Sequence, residues 1–210
     1  IADAVLEIGF DQATMRRVAE HLGVSVPGLY HYVRGRDDLL RVAAERALSR
    51  VELPADRGQH WAEWLRSWAR YIRAALAGRP ELVEHFVTGG LDDDRLLEVV
   101  GHALDILRRD GFDAEDAMAA WEAVSSMALG SAVEDIRERT AAEGGRPWPA
   151  RVAAALAQRP PGAMPTLRAL AAGGHVADRD RAFEERLTTV LVGIAVRRGM
   201  DVDEHVLGTA

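Results

Sequence analysis

Residues 14–36 read TMRRVAEHLGVSVPGLYHYVRGR, a stretch whose punctuation spells two short helices joined by a tight turn. Thr14 is a good N-cap, and Val18, Ala19 and Leu22 then recur at helical spacing to lay one narrow apolar stripe along one side. Gly23 stands where a chain leaving a helix needs a left-handed residue free of a Cβ penalty. Ser25 is a second N-cap, and Pro27 falls in a first turn where its missing N–H costs nothing. Leu29 and Val33 supply the inward contacts of a second helix about two turns long. With the small Ala19 at the crossing point, the pair fits a DNA-binding helix-turn-helix better than an ordinary helical corner.

The residues left outside carry the chemistry. Ser25, Val26, Pro27, Gly28, Tyr30, His31 and Tyr32 surround the start and outer face of the second helix, flanked by Thr14, Arg16 and Arg36. Hydroxyls, small residues and guanidinium groups suit phosphate oxygens and base edges, and a helix start adds a favourable dipole for phosphate. The run Gly9, Thr14-Met15, Val18-Ala19, Leu22-Gly23-Val24-Ser25, Leu29-Tyr30-His31-Tyr32-Val33 and Arg36-Asp37-Asp38-Leu39-Leu40 resembles the N-terminal domain of the tetracycline-repressor (TetR) family. That resemblance implies an all-α protein. Its N-terminal three-helix DNA-binding domain would carry the helix-turn-helix, and a larger helical domain would bind ligand and dimerise.

Composition narrows the remaining classes. At 210 residues the chain can bury a sizeable core, and its apolar fraction is ordinary for a globular protein. It has no cysteine, so neither a disulfide framework nor a thiolate metal site is available. No apolar run is long enough to cross a bilayer, which leaves no membrane role and makes a soluble, cytoplasmic protein the expectation. The chain begins at Ile1, already inside a helical pattern, and the DNA-binding motif argues against a secretory leader.

The net charge of −7 looks wrong for a DNA binder until it is divided by region. Residues 1–50 balance seven Arg against seven acids, so the whole excess lies in residues 51–210. Within residues 14–36 there are four Arg and one Glu, a local positive surface such as a small DNA contact requires. A patch this small binds modestly by itself, so a homodimer is expected. All 26 basic residues are Arg, and the chain has no Asn to make the usual bidentate contact with adenine. Arg16 to a guanine is the favoured direct readout.

In chain order, residues 1–9 put Ala4, Val5 and Ile8 on one side as a first helix. From Asp37 a helical pattern runs to Pro54, completing the small core and connecting to the rest. The stretch Ala55–Gly58 is read as a linker, dividing a DNA-binding domain at 1–54 from a ligand-binding and dimerisation domain at 55–210. Trp61, Trp64, Leu65, Trp68, Ile72 and Leu76 then share one helix face, as core or as an aromatic pocket wall. Further helices are predicted from Pro80 through Phe86, at 92–109, 114–139, 150–158 and 179–198, with loops at 140–149 and 160–165. The two longest present enough apolar and small residues for a four-helix dimer interface, against internal packing alone.

The resemblance extends beyond residue 54, on RDGFDAEDA at 109–117, AVSSMALGS at 123–131 with Glu134, and MPTL at 164–167. By that match the candidate ligand-binding residues are Trp68, Ile72, His85 or Phe86, Val100, Ala103, Leu104, Met118, Trp121, Ser125 and Glu134. Where antibiotic-sensing members present an amide to their drug, this chain offers Trp68, and no dense set of metal-orienting groups remains. A magnesium–tetracycline complex is therefore disfavoured. A larger apolar or aromatic effector, in the class of natural products and antibiotics, suits a pocket lined by Trp, Met and Ile.

No enzyme signature competes. The seven His fall at 21, 31, 60, 85, 102, 175 and 205 without metal-ligand spacing. There is no Gly-x-Ser-x-Gly elbow, phosphate-cradling Gly-Lys loop or Cys nucleophile, so neither a catalytic residue, a metal nor a cofactor is expected. A helical enzyme or adaptor binding a small molecule without DNA would explain the long helices. It would not explain Arg16, Tyr30 and Arg36 together. The expectation is a ligand-responsive homodimeric repressor, bound to a palindromic double-stranded operator and released by a small-molecule effector.

Overall fold

The computed structural model describes residues 1–49, 53–76, 82–83, 93–173 and 178–209. The principal elements among them are α1 (Ala2–Ile8), a 3-10 turn (Phe10–Gln12), α2 (Met15–Leu22), α3 (Val26–Leu29), α4 (Arg36–Ser49), α5 (Trp61–Leu76), α6 (Asp93–Arg109), α7 (Ala114–Glu143), α8 (Trp148–Ala157), α9 (Pro165–Ala172), α10 (Arg179–Arg197) and α11 (Glu204–Leu207). No strand occurs among the described residues. The chain divides into two compact units, Ile1–Trp64 with Arg79–Trp121, and Leu65–Gly78 with Glu122–Ala210.

In the first unit α1 packs on α4 and α2, and α2 packs on α3. Val5, Val18, Ala19, Leu29, Val33 and Leu39 are buried. Each large apolar side chain so enclosed stabilises by roughly 1.5–3 kcal/mol, enough together to hold helices too short to hold themselves. Leu22, read as part of the inward stripe, is instead 38% exposed. It lies at the last position of α2, where the chain is already turning away through Gly23.

The stretch read as a linker is fastened within the same unit. Arg109 donates to the two Asp56 carboxylate oxygens at 2.8 and 3.0 Å and to the Gln59 carbonyl at 3.2 Å. The Gly58 N–H and then the Arg109 guanidinium hold the Asp56 carboxyl below its ordinary range. Trp64 Nε1 donates to the Pro54 carbonyl at 3.2 Å, and the Trp61 N–H donates to Asp110 at 2.7 Å. Trp61 meets Phe112 edge-on, with ring centroids 5.2 Å apart.

The core of the second unit is built from three helices. Leu65, Trp68, Ile72 and Leu76 of α5, Val124, Ala128 and Ala132 of α7, and Phe183, Leu187, Leu191 and Ala195 of α10 are all buried. The α10 row recurs at intervals of four, one face of a 3.6-residue helix. The Trp-rich face of α5 is buried throughout, with Trp61, Trp64 and Trp68 at 0%, 2% and 6% exposure.

Three departures from the sequence reading have local causes. Helix α7 continues to Glu143 because Thr140–Glu143 is good helix-forming sequence, and it stops at Gly144-Gly145. Pro165 starts the helix α9 where a loop had been expected to end, since proline is welcome in a first turn. Asp203, accepting the Val206 N–H at 3.0 Å, caps the four-residue α11.

That last turn is held by a buried arginine. Arg66, 7% exposed, donates to the Val206 carbonyl at 3.0 Å and to Thr188 Oγ1 at 3.2 Å, with Glu184 at 3.5 Å. Burial pulls its guanidinium below arginine's ordinary value, and Glu184 opposes that. Gly208 covers the guanidinium at φ 76°, where an added Cβ would stand 2.7 Å from Arg66 Cζ. Gly208→Ala is expected to destabilise the protein by on the order of 1–3 kcal/mol, because it strains the backbone and pushes a buried cation off its acceptors. Urea denaturation of the two proteins measures the difference.

Candidate nucleic-acid interface and effector region

The corner between α2 and α3 is built from three local devices. Thr14 Oγ1 accepts the Arg17 N–H at 3.2 Å, and Ser25 Oγ accepts the Gly28 N–H at 3.1 Å. Between them Gly23 takes the left-handed conformation at φ 69°, and its N–H returns to the Glu20 carbonyl at 3.2 Å. Beyond α3 the chain tightens. The Tyr32 N–H donates to the Leu29 carbonyl at 3.0 Å, so the second helix is one α turn followed by closer turns, shorter than its apolar pattern implied.

All ten candidate DNA-facing residues are described. Thr14, Arg16, Ser25, Pro27, Tyr30, His31, Tyr32 and Arg36 are exposed, and Val26 and Gly28 are half-buried. Tyr32 is 78% exposed and Tyr30 55%, far more than aromatic rings show unless they wait for a partner or line a wet surface. Arg36 has a second task, its Nε donating to the Ala13 carbonyl at 3.3 Å and so tying the start of α4 to the start of α2. Arg16 Nε donates to Glu20 Oε1 at 2.8 Å, and Arg17 donates to Gln12 Oε1.

Sequence reasoning passed over Arg34, an exposed cation at the end of the motif. Its backbone N–H donates to Asp38 at 2.9 Å, and Asp38 also holds Arg41 at 2.6 Å. The Arg34 N–H first, and then Arg41, keep the Asp38 carboxyl below its ordinary range. The signal for Arg34 was present in the Arg-Gly-Arg string that closes the stretch.

The candidate ligand residues do not fall in one unit. Val100, Ala103, Leu104, Met118 and Trp121 belong to the first, while Trp68, Ile72, Ser125 and Glu134 belong to the second. His85 and Phe86 lie outside the described residues. In the first set Ala103 is fully buried and Met118 is 36% exposed. In the second, Trp68 Nε1 donates to Ser125 Oγ at 2.8 Å, and Trp68 stacks on Tyr71 with centroids 5.4 Å apart and 18° between planes. Ile72 is buried beside them on the same helix face. Glu134 is exposed and accepts from Arg186 at 2.7 Å, a cross-link between α7 and α10.

A second feature of that unit was not foreseen. An open groove of about 710 Å³ is lined by charged residues of α5, α7 and α10, with none of the candidate ligand residues among them. Asp135 sits between Arg73, at 2.7 Å, and Arg179. Burial pushes its carboxyl up, but hydrogen bonds from the two guanidinium groups outweigh burial and leave it below the ordinary range. Arg73 also reaches Asp180 at 2.8 Å and lies 4.6 Å over the Phe183 ring. With its donors and acceptors matched to each other, this network reads as packing between helices. Among the described residues no group of three or more His, Cys, Asp or Glu side chains is placed to hold a metal ion, and no helix is long and apolar enough to cross a membrane.

A capped helix-turn-helix with its polar face outward, joined to a larger helical body, is the architecture of a DNA-binding transcription regulator. A profile of the bacterial regulatory proteins of the tetR family matches residues 4–43, and one for the tetracyclin repressor-like C-terminal domain matches residues 53–198. The class D tetracycline repressor protein of Escherichia coli is 34% identical over 155 residues, spanning 70% of this chain and 69% of that protein. Among solved structures, a possible TetR family transcriptional regulator from Streptomyces coelicolor A3(2) is 28% identical, with a TM-score of 0.70 over 93% of this chain and 95% of that one. The Streptomyces coelicolor TetR family protein ActR, in complex with actinorhodin, shares the fold at a TM-score of 0.72 and 24% identity over 94% and 95% of the two chains. The chain belongs to the TetR family, and it is a ligand-responsive, DNA-binding transcriptional regulator.

The Ser25 cap is the part of this corner most open to test. Ser25→Ala should cost about 1 kcal/mol of stability, while Ser25→Asp, which keeps an acceptor for the Gly28 N–H, should hold most of it. Chemical denaturation of both variants beside the parent measures this.

Proposed function

We propose that the protein acts as a homodimeric repressor in which residues 1–54 read DNA and residues 55–210 bind effector and dimerise. The division is supported by the two family profiles, the first ending at residue 43 and the second beginning at residue 53, just before the boundary. The observation that carries the DNA reading is the outward array of Arg16, Tyr30, His31 and Tyr32 on a rigidly capped corner, in a stretch that is locally positive. Thr14, Ser25, Val26, Pro27 and Gly28 complete the proposed contact surface, and Arg36 with Arg34 neutralises phosphate at its edge.

A dimer is supported by the outer face of α10. Opposite its buried row, Val196 is 64% exposed, Gly193 and Thr189 are exposed, and the Thr189 hydroxyl donates to the Glu185 carbonyl at 2.8 Å. Two copies joined there would present their reading heads to successive major grooves, about one helical turn of ~34 Å apart, on a roughly palindromic operator.

For the effector, the stacked Trp68 and Tyr71 with Ser125 and the neighbouring Ile72 favour a planar aromatic or apolar molecule. Glu134 is left out of this proposal because its carboxylate is engaged by Arg186. Release from DNA requires the effector to prefer the non-binding arrangement by a few kcal/mol, since equal affinity for both arrangements shifts nothing.

Two measurements test this. On a duplex selected by the protein from a random-sequence pool, Arg16→Ala should lose on the order of 1–3 kcal/mol and relax one base preference. Unchanged affinity and selectivity would remove Arg16 from the interface. Actinorhodin and tetracycline serve as probes of the other domain. Trp68→Phe should weaken release from the duplex by whichever probe acts on the parent, with duplex affinity kept within about twofold; equal loss of both would make Trp68 purely structural.

A further inference from the structure

Glu20 is the one acidic residue in the stretch 14–36, and its carboxylate is spent on the arginine assigned to base readout. Glu20 Oε1 receives the Arg16 Nε–H at 2.8 Å across one turn of α2. Both side chains stand in solvent, at 83% exposure for Arg16 and 61% for Glu20, on the face opposite the buried Val18 and Ala19. An exposed pair of this kind contributes little to stability. A negative charge beside a phosphate-facing surface also weakens binding to every DNA sequence. Neither packing nor general affinity accounts for a carboxylate there, and its geometry suggests a different service.

We infer that Glu20 is a specificity-determining positioning residue, which holds Arg16 by Nε so that the distal Nη1–Nη2 edge is presented to guanine O6 and N7. This rests on the reading of Arg16 as a DNA contact. A guanidinium has five donors in a fixed fork, so one edge can be held from behind while the other makes a bidentate contact. Held in this way, Arg16 loses less freedom on meeting the correct base. It is also kept from swinging onto the nearest phosphate, which would reward any sequence equally. The carboxylate thus lowers affinity for arbitrary DNA and sharpens the choice between sites.

The test uses the full chain and two duplexes of equal length, one selected by the parent from a random pool and one of scrambled sequence. Glu20→Ala should bind the scrambled duplex more tightly and lower the ratio of selected to scrambled affinity by about tenfold, the value of one well-made bidentate contact. Glu20→Gln keeps an oxygen acceptor for Nε without the charge, so it should bind both duplexes more tightly while holding the ratio within about threefold of the parent. In the background of Arg16→Ala, Glu20→Ala should change the ratio no further. An unchanged ratio in Glu20→Ala, or equal loss in Glu20→Ala and Glu20→Gln, overturns the assignment. Those failures are separate from failure of the underlying reading, which is signalled when Arg16→Ala itself leaves the ratio unaltered.

Discussion

A helix of eight residues and another of four are well below the roughly 12–15 residues at which an isolated helix becomes marginal in water. The reading head therefore depends on burial of Val18, Ala19, Leu29 and Val33, with Thr14 and Ser25 satisfying N–H groups that α2 and α3 cannot satisfy internally. Gly23 joins the two elements at an angle that a Cβ would resist. Because the inward side is fully committed to this packing, the outward side is free of structural duty and can carry Arg16, Tyr30, His31 and Tyr32. The division of labour between faces is what makes so small a corner usable for recognition.

Every basic group in the chain is an arginine, and the same group does opposite work in different surroundings. Arg66 is buried and surrounded by a carbonyl, a hydroxyl and a carboxylate, since an enclosed cation without acceptors would carry several kcal/mol of desolvation cost. Arg73 and Arg179 enclose Asp135 for the same reason. Arg109 ties down the stretch between α4 and α5. On the head the guanidinium groups stand in water, where donors not used by local partners stay open to a phosphate or base edge. The partners around each arginine, and not residue type, decide which work it does.

The legible parts of the chain were those set by local rules. Caps at Thr14 and Ser25, the turn at Gly23, and the Trp-rich face of α5 follow from hydrogen-bond geometry within three residues and from a period of 3.6. Glu134 illustrates where such reasoning runs out. Its neighbours along the chain say nothing of its partner Arg186, which lies 52 positions away on another helix. Short helices were missed for a related reason. The α9 pattern leaves no residue buried, and α11 is only four residues long, so neither carries enough periodicity to stand out.

The amino-acid order alone determined that the chain is helical, where its DNA-reading corner lies, which face of α5 turns inward, and to which family it belongs, because these depend on spacing along one segment. Tertiary structure decided which side chains meet. Trp68 finds Ser125 57 positions away, Arg66 finds the Val206 carbonyl 140 positions away, and the charged groove gathers its walls from α5, α7 and α10. Contacts of that kind depend on how whole helices pack against one another, and a one-dimensional period holds no record of it.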